Sequence, residues 1–273
     1  MKNLNQILLN RKKVRDRSPL IHAITNPIAI TMVANGILAT GAKAICAAHP
    51  DEVSEIVNMS KALSLNLGNI TSERMVAMRK ASQCASKKNI PLALDAVGVG
   101  ASTLRLTYAQ DLLEKHHFDL IKGNSSEIKA LCGVKSEALG IDVGKKDEIR
   151  DGNIESLAQI ARKLCQKYKS IILISGKTDL LVTEDRYFVV NNGVENLSKI
   201  TATGCMLTGM ISSFMAVTDP VEASLMGLLL LEVSAEMANT DRLGTFLVNL
   251  MDEISTIEDE VISKRADIRE VEF

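Results

Sequence analysis

Short, continuously apolar runs alternate with longer segments of helical periodicity through most of this 273-residue chain. Such runs predict strands buried on both faces, because a strand with one exposed face would alternate polar and apolar residues. The predicted strands cover residues 20–25, 43–47, 62–67, 90–95, 118–122 and 170–175. The amphipathic segments between them cover residues 31–40, 51–61, 71–88, 125–132 and 153–169. Repeated strand–helix units of this spacing predict an α/β fold, with three α/β/α layers around a central, mostly parallel sheet.

The pattern changes towards the end of the chain. Two short apolar runs at 180–183 and 187–190 are close enough to predict an antiparallel hairpin. The helical segments that follow cover residues 203–218, 220–239 and 244–257. Neither an internal repeat nor a Ser-, Pro- or Gly-rich linker divides the chain. We therefore expect one domain over residues 1–273, with a polar surface loop at 142–152.

Composition and charge argue against two classes of partner. Lys and Arg number 32 against 33 Asp and Glu, so the chain lacks the basic excess that nucleic-acid binding requires. The most apolar stretch, residues 223–231, is far shorter than the roughly 20 residues of a membrane-spanning helix. Residues 1–18 are polar and basic, and the five cysteines form no Cys-x-x-Cys pair. We therefore expect no signal peptide and a reducing, cytoplasmic location.

Ligands of an open α/β sheet bind beyond the carboxyl ends of its parallel strands. The segments selected by this rule are residues 22–27, 46–50, 95–100, 123–127 and 175–179. The turn into the first late helix, residues 201–205, is a further candidate. We expect the chemistry of the protein to converge at these segments.

Two carboxylates lie at these strand ends. Asp95 follows a strictly apolar strand, where a carboxylate seldom serves packing, and Glu127 opens the helix after the next strand. Hard carboxylate oxygens at neighbouring strand ends predict ligands for a Mg²⁺ ion that phosphates and water otherwise hold. A second interpretation of Glu127 stays open, because Asn124 stands three residues before it and the two residues fit a helix capping box.

Small residues precede the first late helix, in the segment Thr201-Ala202-Thr203-Gly204-Cys205. Small side chains let the backbone amides of a helix N-terminus approach a ligand, and the helix dipole there favours negative charge. The segment therefore predicts an anion cradle suited to a phosphoryl group. The same field predicts a lowered pKa for the Cys205 thiol. A capped helix with a buried thiol is the alternative interpretation.

Taken together and in this order, several motifs resemble those of one enzyme family. They are HAITNP at 22–27, ANG at 34–36, LNLG at 65–68, DAVGVGA at 95–101, IKGNSSE at 121–127 and GCMLT at 204–208. The chain resembles hydroxyethylthiazole kinases, of the ribokinase-like superfamily, over nearly its whole length. The GCMLT motif is especially specific, because most members of that superfamily have Asp where Cys205 stands.

The resemblance implies phosphorylation of the hydroxyl of 4-methyl-5-(2-hydroxyethyl)thiazole, in thiamine biosynthesis or salvage, with ATP as co-substrate and Mg²⁺ as cofactor. It also implies a homotrimer with its active sites at subunit interfaces. The implied roles are substrate binding for Asn26, Cys46 and Ala202, ATP or phosphate binding for Lys122, Ser175 and Gly204, metal binding for Asp95 and Glu127, and catalysis for Cys205.

Four residues differ from the usual family pattern. Ala96 replaces Pro, Lys122 replaces Arg, Ala202 replaces Gly and Cys46 replaces Met. Lysine keeps the positive charge but not the bidentate fork of arginine, and Ala202 places a methyl group where a glycine-only conformation is expected. Three alternatives remain at this stage: a kinase for a related alcohol such as hydroxymethylpyrimidine, a nucleotide-dependent NAD(P)H-hydrate dehydratase and a non-catalytic binder. A dehydratase is expected to have Asp in place of Cys205.

Overall fold

The computed structural model of the chain describes residues 4–134, 149–150 and 152–273. The strands, numbered in chain order, are β1 Leu20–Ile24, β2 Lys43–Ile45, β3 Ala62–Asn66, β4 Leu92–Asp95, β5 Leu120–Asn124, β6 Ile171–Ser175, β7 Asp179–Val182, β8 Arg186–Val190 and β9 Ile268–Glu272. The helices are α1 Leu4–Arg17, α2 Ile30–Ala39, α3 Val53–Met59, α4 Ser72–Lys88, α5 Thr103–Lys115, α6 Ser125–Leu131, α7 Ile154–Tyr168, α8 Asn196–Lys199, α9 Thr203–Met215, α10 Pro220–Ala238, α11 Leu243–Thr256 and α12 Asp259–Arg265. The strands and helices that the sequence pattern predicts are confirmed to within a few residues. The predicted loop at 142–152 lies mostly outside the described residues.

The described strands form one sheet in the order β2-β1-β3-β4-β5-β6-β7-β8-β9. The strands from β2 to β6 pair in parallel, and β7, β8 and β9 continue the sheet with antiparallel pairs. The predicted hairpin is confirmed, because β7 pairs with β8. As a result the carboxyl ends of six parallel strands lie along one edge of the sheet, which is where ligands of such sheets bind.

Strand β9 is absent from the elements that the pattern predicts. Its sequence, Ile-Arg-Glu-Val-Glu, has no apolar run, and it pairs with β8 at the margin of the sheet. Charged side chains suit an edge strand because they disfavour pairing with another chain. Arg186 Nη1 of β8 donates to Glu270 Oε1 of β9 at 2.7 Å, so a cross-strand ion pair adds to the partial burial of Ile268 and Val271.

Two apolar cores lie on opposite faces of the sheet. Successive residues of β6 show the division, because Leu173 packs into one core and Ile174 into the other. Helices α1, α2 and α9 to α12 contribute buried side chains such as Phe214 to the first core. Helices α3 to α7 contribute side chains such as Met78 to the second. The predicted three-layer α/β/α fold with a mostly parallel sheet is confirmed.

Helix α9 lies between α2 and α10 at close range because glycines line both contacts. A Cβ atom at Gly209 would lie 3.0 Å from Val33 Cγ1 of α2, and one at Gly227 of α10 would lie 2.5 Å from Ile211 Cγ1. Helix α9 also packs against β1, β3 and β4. Tight packing on three sides fixes the start of α9 against the carboxyl ends of these strands.

Within the described ranges, no helix combines the length and the apolar character that crossing a membrane requires.

Candidate active site

Polar or reactive side chains lie at or just beyond the carboxyl ends of the six parallel strands. In spatial order from β2 to β6 they are Cys46, Asn26, Asn66, Asp95, Lys122 and Ser175. Neighbouring strands are about 4.8 Å apart, so the row is about 24 Å long. A row of this length is long enough to contact two small molecules placed end to end.

Asp95 lies at the centre of this row and is fully buried. Its Oδ2 accepts a hydrogen bond from Asn66 Nδ2 at 2.8 Å, and its Oδ1 lies 3.4 Å from Lys122 Nζ. Burial is the largest single effect on the pKa of Lys122 and lowers it, but the charge and hydrogen bond of Asp95, together with the nearby Cys205 and Glu127, raise the pKa on balance. The two residues therefore form a buried ion pair in which the lysine keeps its proton.

The start of α9 faces this ion pair. A Cβ atom at Gly204 would lie 3.4 Å from Lys122 Nζ, so the glycine lies on the same side of the sheet edge as Asp95. An anion held at the backbone amides of this helix N-terminus would also be close to the lysine ammonium group. The predicted anion cradle and the predicted carboxylate therefore come together.

Ala202, the N-cap residue of α9, adopts the left-handed conformation with φ +70° and ψ +5°. This conformation is costly for a residue with a Cβ atom and free of that cost for glycine. Ala202 therefore replaces the family's glycine at a position whose backbone conformation favours glycine. The Ala202 carbonyl accepts the first hydrogen bond of the helix, from Met206 N at 2.9 Å.

The expected lowering of the Cys205 pKa is wrong. The thiol is largely buried, and burial together with the charge of Asp95 raises its pKa to about 12, against the opposing effects of Lys122 and Asn66. The field of a helix N-terminus is modest, about 0.3–1 kcal/mol for one charge, so burial beside a carboxylate outweighs it. Cys205 is therefore a neutral thiol at physiological pH.

The contacts of Glu127 bear on its two interpretations, as a metal ligand and as part of a capping box. Its Oε2 accepts from Asn124 N and its Oε1 from Gly98 N, each at 2.7 Å, while its own backbone N–H donates to Asn124 Oδ1 at 2.9 Å. The capping box is therefore confirmed. Burial raises the pKa of Glu127 to about 7, although both backbone amides act in the opposite direction. Each carboxylate oxygen keeps one lone pair beyond its backbone bond.

The donor set fits a Mg²⁺ ion that takes most of its ligands from elsewhere. Among the described residues, no three His, Cys, Asp or Glu side chains form a group that could hold a metal by themselves. Asp95 and Glu127 supply carboxylate oxygens next to the predicted anion cradle. Mg²⁺ characteristically binds through one or two carboxylates, with substrate phosphates and water completing its octahedron.

Asn26 lies on the other side of Asp95 from Lys122 in this row. Its Oδ1 accepts from the backbone N–H groups of Ile28 and Ala29, at 3.1 and 3.0 Å, which fixes the turn before α2. Its Nδ2 donates to Asn66 Oδ1 at 2.9 Å and lies 3.9 Å from Cys205 Sγ. The structure therefore brings Asn26 and Cys205 into one hydrogen-bonded group.

Cys46 and Ser175 mark the two ends of the row. Cys46 follows β2. The carbonyl oxygen of the next residue, Ala47, is hydrogen-bonded to His22 Nε2 at 2.8 Å. Burial raises the pKa of the Cys46 thiol. Ser175 ends β6 beside Asn124 of β5 in the parallel ladder. The other predicted site residues lie between these two ends.

A pair of buried carboxyl groups supports the turn that follows Ser175. Asp179 Oδ1 accepts from Gly176 N at 2.8 Å, and Glu232 of α10 lies within hydrogen-bonding reach of Asp179. Burial raises the pKa of Glu232 well above its usual range, and the charge of Asp179 raises it further. Burial raises the pKa of Asp179 as well, so the pair favours a state in which Glu232 carries a proton next to the Asp179 carboxylate.

Sequence reasoning missed Asn66 as a site residue. The signal was present, since Asn66 ends the buried strand β3 in the same way that Asp95 ends β4. Arg74 of α4 was also missed. Its guanidinium donates to the carbonyls of Asn66, Gly68 and Asn69, at 3.0, 2.9 and 2.7 Å, and so fixes the loop after β3.

Comparison with known proteins assigns this arrangement to a family. The sequence model of the hydroxyethylthiazole kinase family matches residues 11–260. The chain belongs to the hydroxyethylthiazole kinase family. Its membership accounts for the motifs at the strand ends and confirms the resemblance seen in the sequence.

Individual relatives agree with the family assignment. The chain is 42% identical to hydroxyethylthiazole kinase 2 of Clostridium botulinum (strain 657 / Type Ba4), over 93% of this chain and 97% of the relative. It is 36% identical to hydroxyethylthiazole kinase 2 of Methanosphaera stadtmanae, over 98% and 100%. Among solved structures, a hydroxyethylthiazole kinase protein of Pyrococcus horikoshii OT3 superposes with a TM-score of 0.88 at 31% identity, covering 98% of this chain and 99% of that one. The predicted ribokinase-like fold is therefore confirmed.

Proposed function

We propose that this protein transfers the γ-phosphoryl group of ATP to the hydroxyl of 4-methyl-5-(2-hydroxyethyl)thiazole. The observation that carries the proposal is the grouping of Gly204, Lys122 and Asp95 at the start of α9, in a chain of the hydroxyethylthiazole kinase family. Phosphoryl transfer has a loose transition state, so positioning and charge stabilisation provide most of its acceleration. A cradle of backbone amides beside a buried lysine supplies both.

The donor half of the site lies along the sheet edge from the end of β4, at Asp95, to the end of β6, at Ser175. Lys122 and Gly204 bind the phosphates, and Ser175 binds ATP near the end of β6. Asp95 and Glu127 hold Mg²⁺ together with the phosphates. When bound, Mg²⁺ neutralises charge that develops on the transferring group. Lys122 provides a point charge here where an arginine would provide a bidentate contact.

The acceptor half comprises Asn26, Cys46, Ala202 and Cys205. A neutral thiazole needs no charged partner, and these side chains are uncharged. With a pKa of about 12, the Cys205 thiol positions the attacking hydroxyl by hydrogen bonding and does not act as a pre-ionised base. A loose transition state tolerates this, because the hydroxyl loses its proton late in the reaction.

We also propose a homotrimer with active sites at its interfaces, and a cytoplasmic location for the enzyme. Ile28 and Ile30 flank the start of α2 next to Asn26, with exposed fractions of 64% and 38%. Large apolar side chains beside a binding loop favour burial against a second subunit. The five cysteines are all free thiols, which fits a reducing compartment. Light scattering of the purified protein tests the trimer directly.

ADP release is the test of the proposed reaction. A coupled assay should show ADP formation that requires both the thiazole alcohol and Mg²⁺, with one thiazole phosphate formed for each ADP. Hydroxymethylpyrimidine and hydrated NADH serve as competing substrates for the alternative kinase and for a dehydratase. Folded protein that turns over either competitor and not the thiazole would refute the proposal.

A further inference from the structure

The side chain of Asn66 connects three parts of the candidate site. It lies at the end of β3, is buried, and hydrogen-bonds to Asn26 after β1, Asp95 at the end of β4 and Cys205 at the start of α9. Asn26 and Cys205 belong to the acceptor half and Asp95 to the donor half. Asn66 therefore lies at the boundary between the two substrates of the proposed reaction.

The orientation of the Asn66 amide follows from its partners. The backbone N–H of Gly68 lies 2.9 Å from one end of the amide, and because an N–H can only donate, that end must be the oxygen Oδ1. Asn26 Nδ2 donates to the same oxygen at 2.9 Å. The opposite end, which faces Asp95 and Cys205, is therefore the nitrogen Nδ2.

Both hydrogens of Nδ2 have an acceptor. One N–H donates to Asp95 Oδ2 at 2.8 Å and the other to Cys205 Sγ at 3.2 Å. Because the sulfur accepts from Asn66 on this side, the thiol hydrogen must point in another direction. One rigid planar group thus fixes the Asp95 carboxylate and the Cys205 sulfur relative to each other.

The surroundings of Asn66 hold this amide in place. Arg74 clamps the backbone on both sides of Leu67 through the carbonyls of Asn66 and Gly68. A Cβ atom at Gly68 would lie 2.7 Å from Asn26 Nδ2 and 2.9 Å from Asn66 Oδ1, so the two amides pack directly on the glycine. Groups that are fixed by packing and by further hydrogen bonds keep catalytic geometry within tight limits.

We propose that Asn66 is a positioning residue of the phosphoryl transfer. It aligns Cys205 in the acceptor half of the site with Asp95 in the donor half. This inference rests on the proposed function and adds a residue to it. Asn66 binds neither substrate in this account and acts through its two partners. Its loss should therefore lower kcat, with little change in the KM for either substrate.

Two variants separate the hydrogen bonds that Asn66 Nδ2 donates from the support that Asn66 Oδ1 gives to the loop after β3. Asn66→Ala removes every side-chain hydrogen bond. Asn66→Asp keeps an oxygen to accept from Gly68 and Asn26 but replaces the N–H donors with an acceptor beside Asp95. We expect kcat to fall at least tenfold in Asn66→Ala and by at least as much in Asn66→Asp, with both KM values within threefold. Near-normal kcat in Asn66→Asp would refute the role of Asn66 Nδ2 as a hydrogen-bond donor to Asp95 and Cys205.

A double-mutant cycle distinguishes positioning from a general structural role. If Asn66 acts through Cys205, Asn66→Ala should cost at least threefold less in a Cys205→Ala background than in the wild type, because residues that act together are not additive. The same fold loss in both backgrounds overturns the proposal. Asn192→Ala is the matched control, since Asn192 is also buried, makes three side-chain hydrogen bonds and lies after β8. It should lower Tm and leave kcat unchanged.

Crystal structures of the wild type and Asn66→Ala give a readout that is independent of turnover. We expect Cys205 Sγ or the Asp95 carboxylate to move by more than about 1 Å when the amide is removed. Both groups staying in place refutes the positioning role, whichever reaction the enzyme catalyses. An inactive wild type with displaced groups in the variant would instead refute the proposed substrate and leave the positioning of Cys205 and Asp95 by Asn66 supported.

Discussion

Replacing Ala202 with glycine should stabilise the protein. The left-handed conformation of Ala202, at φ +70°, costs a residue with a Cβ atom about 1–2 kcal/mol, and glycine avoids that cost. Glycine also makes the unfolded chain more flexible, which favours unfolding and offsets up to about 1 kcal/mol of this stabilisation. The net stabilisation is on the order of 0.5–1 kcal/mol, which corresponds to a rise in Tm of about 1–3 °C for a chain of this size.

Calorimetry of Ala202→Gly beside Lys169→Gly measures this effect. Lys169 caps α7 at φ +56°, far from the candidate site, and its exposed ion pair with Glu184 contributes less than about 1 kcal/mol. We expect both variants to have a higher Tm than the wild type and Lys169→Gly to have unchanged kinetics. A lower Tm for Ala202→Gly together with a higher Tm for Lys169→Gly would show that the backbone of Ala202 is not strained.

Three further perturbations test other parts of the structure. If Asp95 holds Mg²⁺ as proposed, Asp95→Ala should lower kcat at least tenfold by misplacing the ion and the phosphates, and a near-normal rate in steady-state kinetics would remove Asp95 from the proposed mechanism. Gly68→Ala should displace the Asn66 amide and lower kcat at least tenfold at a cost of about 1–3 kcal/mol in stability, and an unchanged rate would contradict the close packing. Glu232→Gln should make stability less dependent on pH. Because the folded protein raises the pKa of Glu232, the contribution of this group to stability is present at low pH and is lost as pH rises through the folded pKa. The wild-type Tm should therefore fall more steeply than that of the variant as pH rises above 4.5, the ordinary pKa of a glutamate. Parallel melting curves would show that Glu232 is not held protonated by Asp179.

Most of the sheet could be predicted because its strands are buried on both faces. Runs such as Ala62–Asn66 and Ile171–Ser175 are recognisable because helices on either side leave little room for polar side chains. Strand β9 could not be predicted in this way. Its pairing with β8 depends on a neighbour that is distant in sequence, and its charged side chains resemble those of a loop.

The candidate site was predicted in part for the same reason. The ends of apolar strands identify Asp95 directly, and the order of the strands then brings it next to Lys122 and Gly204. The pKa of Cys205 depends on burial and on the approach of Asp95, which the local sequence does not contain. Local reasoning considered only the helix N-terminus, and it therefore predicted the wrong direction. Asn66 was missed because an amide at a strand end is a weaker signal than a carboxylate.

Under the proposed function, two of the acceptor-binding residues come from a different stretch of the polypeptide than the nucleotide contacts, whereas Ala202 and Cys205 adjoin Gly204. Asn26 and Cys46 come from the first fifth of the chain, whereas Lys122, Ser175 and Gly204 come from later segments. A change in the turns after β1 and β2 can therefore alter which alcohol is accepted while the nucleotide contacts stay intact. In protein engineering, that separation makes those two turns the place to diversify in a search for new acceptors.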